Sequence, residues 1–168
     1  NSLGEAGFGS LTLNAAANIN DTEVTHIKDN PAELAALGDS YQYFARREVA
    51  RFEQGTPKNK VNLSATWDYN DWSTTLRATR YGEVVDVSSN PENDEVLAAK
   101  WITDVEVSYQ ANENWTVSVG ANNLFDQYPQ DTVNNIGFSN FNQIFTYSPF
   151  TPYSLDGRFV YGNVSYRF

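Results

Sequence analysis

The stretch Tyr161-Gly162-Asn163-Val164-Ser165-Tyr166-Arg167-Phe168 decides the fold class of this chain. Its later residues alternate between two faces of an extended backbone, with Val164, Tyr166 and Phe168 on one face and Asn163, Ser165 and Arg167 on the other. A soluble domain gains little from aromatic rings at the tip of a strand, whereas a membrane-spanning strand gains an apolar face that meets lipid. The stretch therefore predicts a strand of a transmembrane β-barrel.

Five further segments repeat this alternation, which is typical of strands with two different faces. They cover residues 11–20, 61–69, 72–79, 101–109 and 115–122. In each segment, small or large apolar side chains share one face, and Asn, Ser, Thr or charged side chains share the other. The predicted fold class is all-β, an antiparallel meander of about six strands.

The connections between these segments alternate in length. Asn70-Asp71 and residues 110–114 are short turns, whereas the connections at roughly 21–56, 83–98 and 126–156 are long. In a meander, every second connection lies at the same end of the sheet, so the short turns share one end and the long loops the other. Transmembrane barrels have this asymmetry, with short periplasmic turns and longer outer loops.

Two shorter stretches interrupt the strand pattern. Residues 30–38 place a capping Asn before Pro31 and end on Gly38, which predicts a helix of about two turns within the first long loop. Residues 4–9 contain three glycines, but their spacing fits no phosphate-binding loop, and we interpret them as a turn.

Tryptophan and tyrosine residues concentrate near the short turns. The predicted membrane-interface aromatics are Trp67, Trp72, Tyr109 and Trp115 beside the turns, and Trp101 at the opposite rim. Such rings favour the membrane–water interface, where one edge is apolar and the other is wet. The alternative is a soluble ligand-binding β-sandwich, which would seal Leu63, Trp67, Val105 and Val117 in a dry core.

Composition excludes several classes of function. The chain has 168 residues and a net charge of −10, which argues against nucleic-acid binding. It contains no cysteine, so neither a disulfide framework nor a thiolate metal site is available. No apolar run reaches the roughly 18 residues of a transmembrane helix, and the first residues do not resemble a signal peptide.

Catalysis finds little support, and we predict neither an enzyme nor a cofactor. The chain lacks nucleophile-elbow, zinc-protease and phosphate-loop motifs, and its one histidine, His26, lies in a long loop where a solvated role is favoured. The acidic residues Asp86, Glu92, Asp94 and Glu95 match no calcium loop, so a solvated loop is favoured over a Ca²⁺ site and no metal is predicted.

The third long loop is the best candidate for ligand contact. Its predicted ligand-binding residues interleave aromatic rings with amides: Tyr128, Asn134, Phe138, Phe141, Phe145 and Tyr147. Residues 127–155 contain no Lys or Arg, so this chemistry suits sugars or aromatic chelators better than bare anions. The alternative is that these rings pack on one another to order the loop.

Four segments resemble motifs of TonB-dependent outer-membrane receptors. They read GTPKNKVNL at 55–63, RATRYGE at 77–83, NNLFDQYP at 122–129 and VSYRF at 164–168, in the order typical of the family, with a weaker likeness in residues 9–24. The resemblance implies a transmembrane barrel of about 22 strands with a plug in its lumen. It also implies import of a scarce nutrient, of the ferric siderophore, cobalamin or glycan class, across the bacterial outer membrane.

The resemblance further implies how this chain is organised and what it contacts. We expect residues 1–168 to be the C-terminal segment of the barrel, with the plug domain and the earlier strands absent. The implied partners are outer-membrane lipid, the receptor's own plug and remaining strands, a small-molecule nutrient, an energy-coupling protein that grips an absent N-terminal box, and the barrel-assembly machinery.

Two pairs of residues receive roles from this resemblance. Tyr166 and Phe168 match the aromatic positions of the signal that the assembly machinery reads, although Asn163 stands where that signal often has glycine. Arg77 and Asp104 would face each other in the lumen if the hairpins have simple registers. A structural role, bracing the wall or contacting the plug, is favoured for this pair over ligand contact. The alternative function is a barrel for adhesion or passive binding, without energised transport.

Overall fold

The structure, a computed structural model, describes residues 2–38, 41–132 and 146–168. Its strands are β1 (Ser2–Ala6), β2 (Gly9–Ile19), β3 (Asn59–Tyr69), β4 (Trp72–Tyr81), β5 (Val84–Asp86), β6 (Glu95–Leu97), β7 (Lys100–Gln110), β8 (Trp115–Asn122) and β9 (Phe159–Tyr166). One α-helix, α1, spans Arg46–Glu53, and short 3₁₀ helices span Ala32–Leu37 and Pro91–Asn93. Among the described residues, no helix has both the length and the apolar character needed to cross a membrane.

One antiparallel sheet dominates the fold. Its strands follow the order β1-β2-β3-β4-β7-β8-β9, while β5 and β6 pair separately as a small hairpin. The predicted all-β meander is confirmed, with one strand more than predicted. Residues 4–9, interpreted as a turn, contribute most of β1, and the reversal itself is limited to Gly7 and Phe8.

Glycine is required where β1 turns into β2. Gly9 has φ of 91°, and a Cβ atom there would lie 2.1 Å from the carbonyl oxygen of Asp68. A side chain at this position would therefore collide with β3, so the turn closes tightly against the neighbouring hairpin.

The strand registers give the sheet one apolar and one polar face. An apolar row crosses six strands through successive Cα partners: Leu13, Ala65, Leu76, Val105, Ala121 and Val160. The neighbouring row on the opposite face is polar and joins Asn14, Ser64, Arg77 and Asp104. Because the side-chain period of a strand is two, this alternation along each strand is continued across the sheet.

The apolar face is not covered by other parts of the described chain. Leu63, Trp67 and Val117 expose 41%, 40% and 45% of their surface. The β-sandwich alternative is wrong, because it requires these side chains to be sealed in a dry core. The face has the composition expected of a surface that contacts lipid.

The short turns and the long loops occupy opposite ends of the sheet, as predicted. Asn70 adopts φ of 51° in the β3–β4 turn, a left-handed conformation that asparagine tolerates. The long connections, here called the first, second and third loops, span residues 20–58, 82–99 and 123–158. They all leave the same end of the sheet.

The buried apolar residues belong mostly to the loops. Ala50 in α1, Val84, Val87 and Leu97 are buried, whereas Ala121 is the buried apolar residue of the main sheet among those described. The helix predicted at residues 30–38 is present as the 3₁₀ helix Ala32–Leu37. Sequence patterns missed α1, since Ala45 at its N-cap offers no side-chain hydrogen bond that would mark the start.

Candidate functional site

The three long loops pack together into a layer at one end of the sheet, here called the loop layer. Arg46 of α1 joins the first and second loops by donating hydrogen bonds to the Asp94 carboxylate and to the Ser88 carbonyl. The Ser88 amide in turn donates to Asp94 Oδ1 at 3.0 Å. Arg46 therefore lowers the pKa of the Asp94 carboxyl, and Asp94 raises the pKa of the Arg46 guanidinium.

A buried hydrogen bond ties the third loop to the second. Ser148 Oγ donates to Asp86 Oδ2 at 2.7 Å, and Ser148 is fully buried. Asp86 and Glu95 are buried, so the prediction of a solvated acidic loop is wrong for these two residues. Asp94 is partly exposed and paired with Arg46, and Glu92 is exposed. In the described parts of the chain, no group of three or more Asp, Glu or His side chains is arranged to hold a metal ion.

Most of the predicted ligand-binding residues lie outside the described residues. These are Asn134, Phe138, Phe141 and Phe145. Tyr128 and Tyr147 are described, and their rings stack with centroids 6.3 Å apart. An isolated β-bridge between Asp131 and Tyr147 joins the described residues that precede and follow positions 133–145 of the third loop. A ligand-binding role for the six residues stays a prediction.

The NNLFDQYP motif forms the turn that positions Tyr128. Asn123 has φ of 51°, and its side chain both accepts from the Gln127 amide at 2.9 Å and donates to the Gln127 carbonyl at 2.7 Å. The Asn123 amide donates to Asp104 Oδ1 at 2.9 Å, which anchors the turn to β7. An asparagine fits here because it tolerates the left-handed region and offers both a donor and an acceptor.

A row of cations and tyrosines lies beside Tyr128 on the polar face. Lys60, Tyr81 and Lys100 are successive Cα partners on β3, β4 and β7, at the end that faces the loop layer. Lys60 Nζ lies 4.8 Å from the centroid of the Tyr81 ring, and Lys100 Nζ donates to the Tyr128 carbonyl at 2.5 Å. Tyr153 packs against Tyr81 at 5.7 Å, and burial raises the pKa of the Tyr153 phenol.

Sequence reasoning missed this row because it considered the third loop alone. That loop does lack Lys and Arg between residues 127 and 155. The fold nevertheless places Lys100 against Tyr128, and it places the Arg51 guanidinium of α1 5.7 Å from the centroid of the Phe150 ring. Lys60, Tyr81 and Lys100 each lie at the end of a strand, at a position that the alternation assigns to the polar face. This shared position was the sequence signal that could have predicted the row.

The predicted interface aromatics lie on the apolar face. At the short-turn end, Trp72 packs on Tyr109 with centroids 4.6 Å apart, and Trp67 Nε1 donates to the Phe8 carbonyl at 2.7 Å. Trp115 packs on Tyr166 at 4.7 Å. Trp101 lies on the same face at the opposite end, where its Cα partner is Arg80. The arrangement matches two girdles, and contact with the membrane interface stays a prediction for these side chains.

The predicted assembly residues continue the band of aromatic side chains. Tyr166 and Phe168 make an edge-to-face contact with centroids 5.1 Å apart, and Phe168 is fully exposed. No contact within the described chain tests their role as a signal.

Arg77 and Asp104 are direct Cα partners on β4 and β7, as the simple register requires. Their side chains do not form an ion pair within the described residues. The Asp104 carboxylate instead accepts from the Asn123 backbone amide. One row away, Tyr161 donates to Glu106 Oε2 at 2.8 Å across the intervening Gly120. A bracing or plug-contacting role for Arg77 and Asp104 stays a prediction.

His26 lies away from this site. It lines a shallow cavity of about 380 Å³ in the first loop, together with residues that include Lys28, Tyr43 and Phe44. No serine is among the described residues that line this cavity.

Comparison with protein families identifies the class. The family model described as TonB dependent receptor-like, beta-barrel matches residues 6–124. The chain belongs to this family of outer-membrane receptors of Gram-negative bacteria, which are not enzymes. No curated protein matches the chain.

Solved structures of receptors share the fold. A variant of the ferric enterobactin receptor PfeA from Pseudomonas aeruginosa is 22% identical over 67% of this chain and 16% of its own, with a TM-score of 0.52. A second PfeA variant, in complex with enterobactin, gives 21% identity, 66% and 16% coverage, and a TM-score of 0.50. The ferric-catecholate import receptor Fiu from Escherichia coli K12 is 14% identical over 94% of this chain and 19% of its own, with a TM-score of 0.58. The chain therefore spans less than a fifth of the length of these receptors.

Proposed function

We propose that this chain supplies the C-terminal wall and outer loops of a receptor that imports a scarce nutrient across the outer membrane. The observation that carries the proposal is the two-faced sheet, whose apolar face is exposed while its three long loops gather at one end. A surface of this kind suits a wall between lipid and a wet lumen. The loop layer then faces the outside of the cell, where the nutrient arrives.

The proposed partners follow from the two faces and from the family. The apolar face contacts outer-membrane lipid, and the polar face, with Arg77, Asp104 and Glu106, faces a plug domain and the lumen. Tyr166 and Phe168 serve the barrel-assembly machinery, and an energy-coupling protein acts through an N-terminal box. The nutrient is a ferric siderophore, cobalamin or a glycan, and Tyr128 and Tyr147 belong to its binding surface. The PfeA and Fiu receptors named above make ferric siderophores the first class to test.

Uptake in cells that produce the receptor containing this chain tests the proposal. We expect radiolabelled ferric siderophore, cobalamin or glycan to accumulate in these cells, and an uncoupler that removes the proton-motive force should abolish the accumulation. Accumulation that is unchanged by the uncoupler would favour the passive barrel instead. Cells that bind to a surface but accumulate none of the three ligands would favour the adhesion alternative.

A further inference from the structure

We propose that Lys60, Tyr81 and Lys100, together with Tyr128 and Tyr153, form a binding site for an anionic ligand that carries aromatic rings. This inference rests on the proposed function, and it narrows the nutrient to a chemical class and to named residues. The five residues come from β3, β4, β7 and both ends of the third loop, so no single stretch of sequence contains the site.

The strand register places the two lysines on one face at one height. Lys60 pairs with Tyr81, and Tyr81 pairs with Lys100, so the three side chains form a straight row across adjacent strands. The row belongs to the polar face, and it lies at the long-loop end, beneath the loop layer. A ligand that passes between the loops toward the lumen would meet this row.

Both lysines are free of acidic partners within the described residues. Neither has a carboxylate oxygen within 4.0 Å, whereas Lys58 lies 2.6 Å from Asp21 and Arg46 is paired with Asp94. The chain carries twenty-one acidic residues and a net charge of −10, so acidic partners are abundant elsewhere. Two ammonium groups on the strands either side of β4, both without a carboxylate partner, create a local positive potential in an otherwise acidic chain.

The ammonium groups also keep most of their hydrogen-bonding capacity. Each has three donors, and Lys100 uses one of them for the Tyr128 carbonyl. Lys60 lies over the face of the Tyr81 ring and donates to no described oxygen. The remaining donors are available to anionic oxygens of a ligand, and charge-assisted hydrogen bonds of this type are stronger than neutral ones.

The tyrosines around the row indicate that the ligand carries aromatic rings in addition to its negative charge. Tyr153 packs against Tyr81 at 5.7 Å, and Tyr128, which stacks on Tyr147, adjoins Lys100. Ring faces beside cations favour aromatic groups that carry negative oxygens. A neutral sugar would use the rings but not the charges, and a bare anion would use the charges but not the rings.

A structural role is the competing explanation. In that case Lys60 would only hold the Tyr81 ring and Lys100 would only hold the Tyr128 backbone. Loss of either lysine would then loosen the loop layer and weaken every ligand by a similar factor.

Binding measurements on the whole receptor in outer-membrane vesicles separate the two explanations. The probes are a ferric catecholate, which is anionic and aromatic, and a ferric hydroxamate, which is uncharged and not aromatic. We expect the double variant Lys60→Gln/Lys100→Gln to bind the ferric catecholate at least about tenfold more weakly, the effect of losing roughly one charge-assisted hydrogen bond. The salt dependence of binding should also become shallower.

Lys58→Gln is the matched control. It removes a lysine two residues away that is already paired with Asp21, so binding of the ferric catecholate should stay unchanged. Lys60→Arg retains the charge over Tyr81 and should retain most of the affinity. Protease sensitivity of the loops should be the same in the unaltered receptor and in the double variant.

Several results would overturn the inference. They are an unaltered receptor that does not bind the ferric catecholate, unchanged affinity in the double variant, or an equal loss for the uncharged probe together with loosened loops. Energised uptake of a neutral or non-aromatic nutrient would overturn this inference and leave the proposed function intact. Absence of energised uptake for all the nutrient classes would instead overturn the proposed function itself.

Discussion

The main sheet and the loop layer are stabilised in opposite ways. In the sheet, large apolar side chains such as Leu63 and Val117 remain exposed, and the strands are held by their backbone ladders. In the loop layer, Val84 of β5, Leu97 of β6 and Ser148 are buried, although they lie in the long connections of the main sheet. A soluble β-domain differs, because it buries one face of its main sheet in the core and leaves the connections at the surface.

This difference in the burial of apolar side chains indicates which solvent surrounds each region. The loop layer buries its own apolar groups, so it is compatible with water around it. The apolar face of the sheet has no cover within the described chain, and hydrocarbon is the environment that removes its exposed surface from water. Mutations that distinguish the two faces of the sheet, or the sheet from the loop layer, therefore test this comparison.

The largest effect is expected from a charge placed on the apolar face. Leu76 and Thr75 are neighbours in the middle of β4 but point to opposite faces. In lipid vesicles, Leu76→Arg should destabilise the receptor by about 2–4 kcal/mol, since the guanidinium would lie in hydrocarbon. The matched variant Thr75→Arg should cost much less, because that face is wet. Denaturant unfolding of the two variants provides the measurement, and equal costs would show that the apolar face does not meet lipid.

A smaller loss of stability is expected on the polar face where β7, β8 and β9 are in side-chain contact. A Cβ atom at Gly120 would lie 2.4 Å from Cζ of Tyr161, whose hydroxyl is held by Glu106. Gly120→Ala should therefore cost roughly 1–3 kcal/mol in the same unfolding assay. Gly162→Ala is the control and should be nearly neutral, because the atom nearest to a Cβ there would be the Ser118 carbonyl oxygen at 3.9 Å.

A double variant checks the cause of that effect. Combining Gly120→Ala with Tyr161→Ser removes the ring that the new methyl group would strike. The two changes should then be non-additive, with part of the Gly120→Ala cost recovered. Additive costs would mean that the collision with Tyr161 is not the cause.

The smallest effect concerns the acid sensitivity of the loop layer. Arg46 lowers the pKa of Asp94, so this ion pair contributes its full stability above the usual carboxyl pKa, near about pH 4. The contribution is lost as the pH falls below that value through the lowered pKa. The Ser88 amide donates to Asp94. Its hydrogen-exchange protection factor, which corrects for the intrinsic exchange rate at each pH, should therefore fall in acid.

Substitution of Asp94 supplies the control for this pH dependence. Asp94→Asn should lower the protection factor of Ser88 at neutral pH and should flatten the dependence of this protection factor on pH. Asp21→Asn breaks the other exposed ion pair, with Lys58, and should leave Ser88 unchanged. A similar response in both variants would mean that Asp94 does not control this segment.

The sequence by itself determined the strands, their two faces and the sides on which turns and loops lie. It could do so because the side-chain period of a strand is local, and because Asn70 and Asp71 mark a turn through their own backbone preferences. The strand β1 escaped notice because its five residues are too few to show an alternation, and its pairing depends on β2.

Tertiary structure alone decided which residues are buried in the loop layer and which residues form the candidate site. Asp86 and Glu95 have the composition of a solvated loop, yet packing between loops buries them, and Ser148 reaches Asp86 from 62 residues away in the chain. Lys60 and Lys100 flank Tyr81 only because three strands pair in one register. Such contacts join residues that are distant in sequence, and no local period records them.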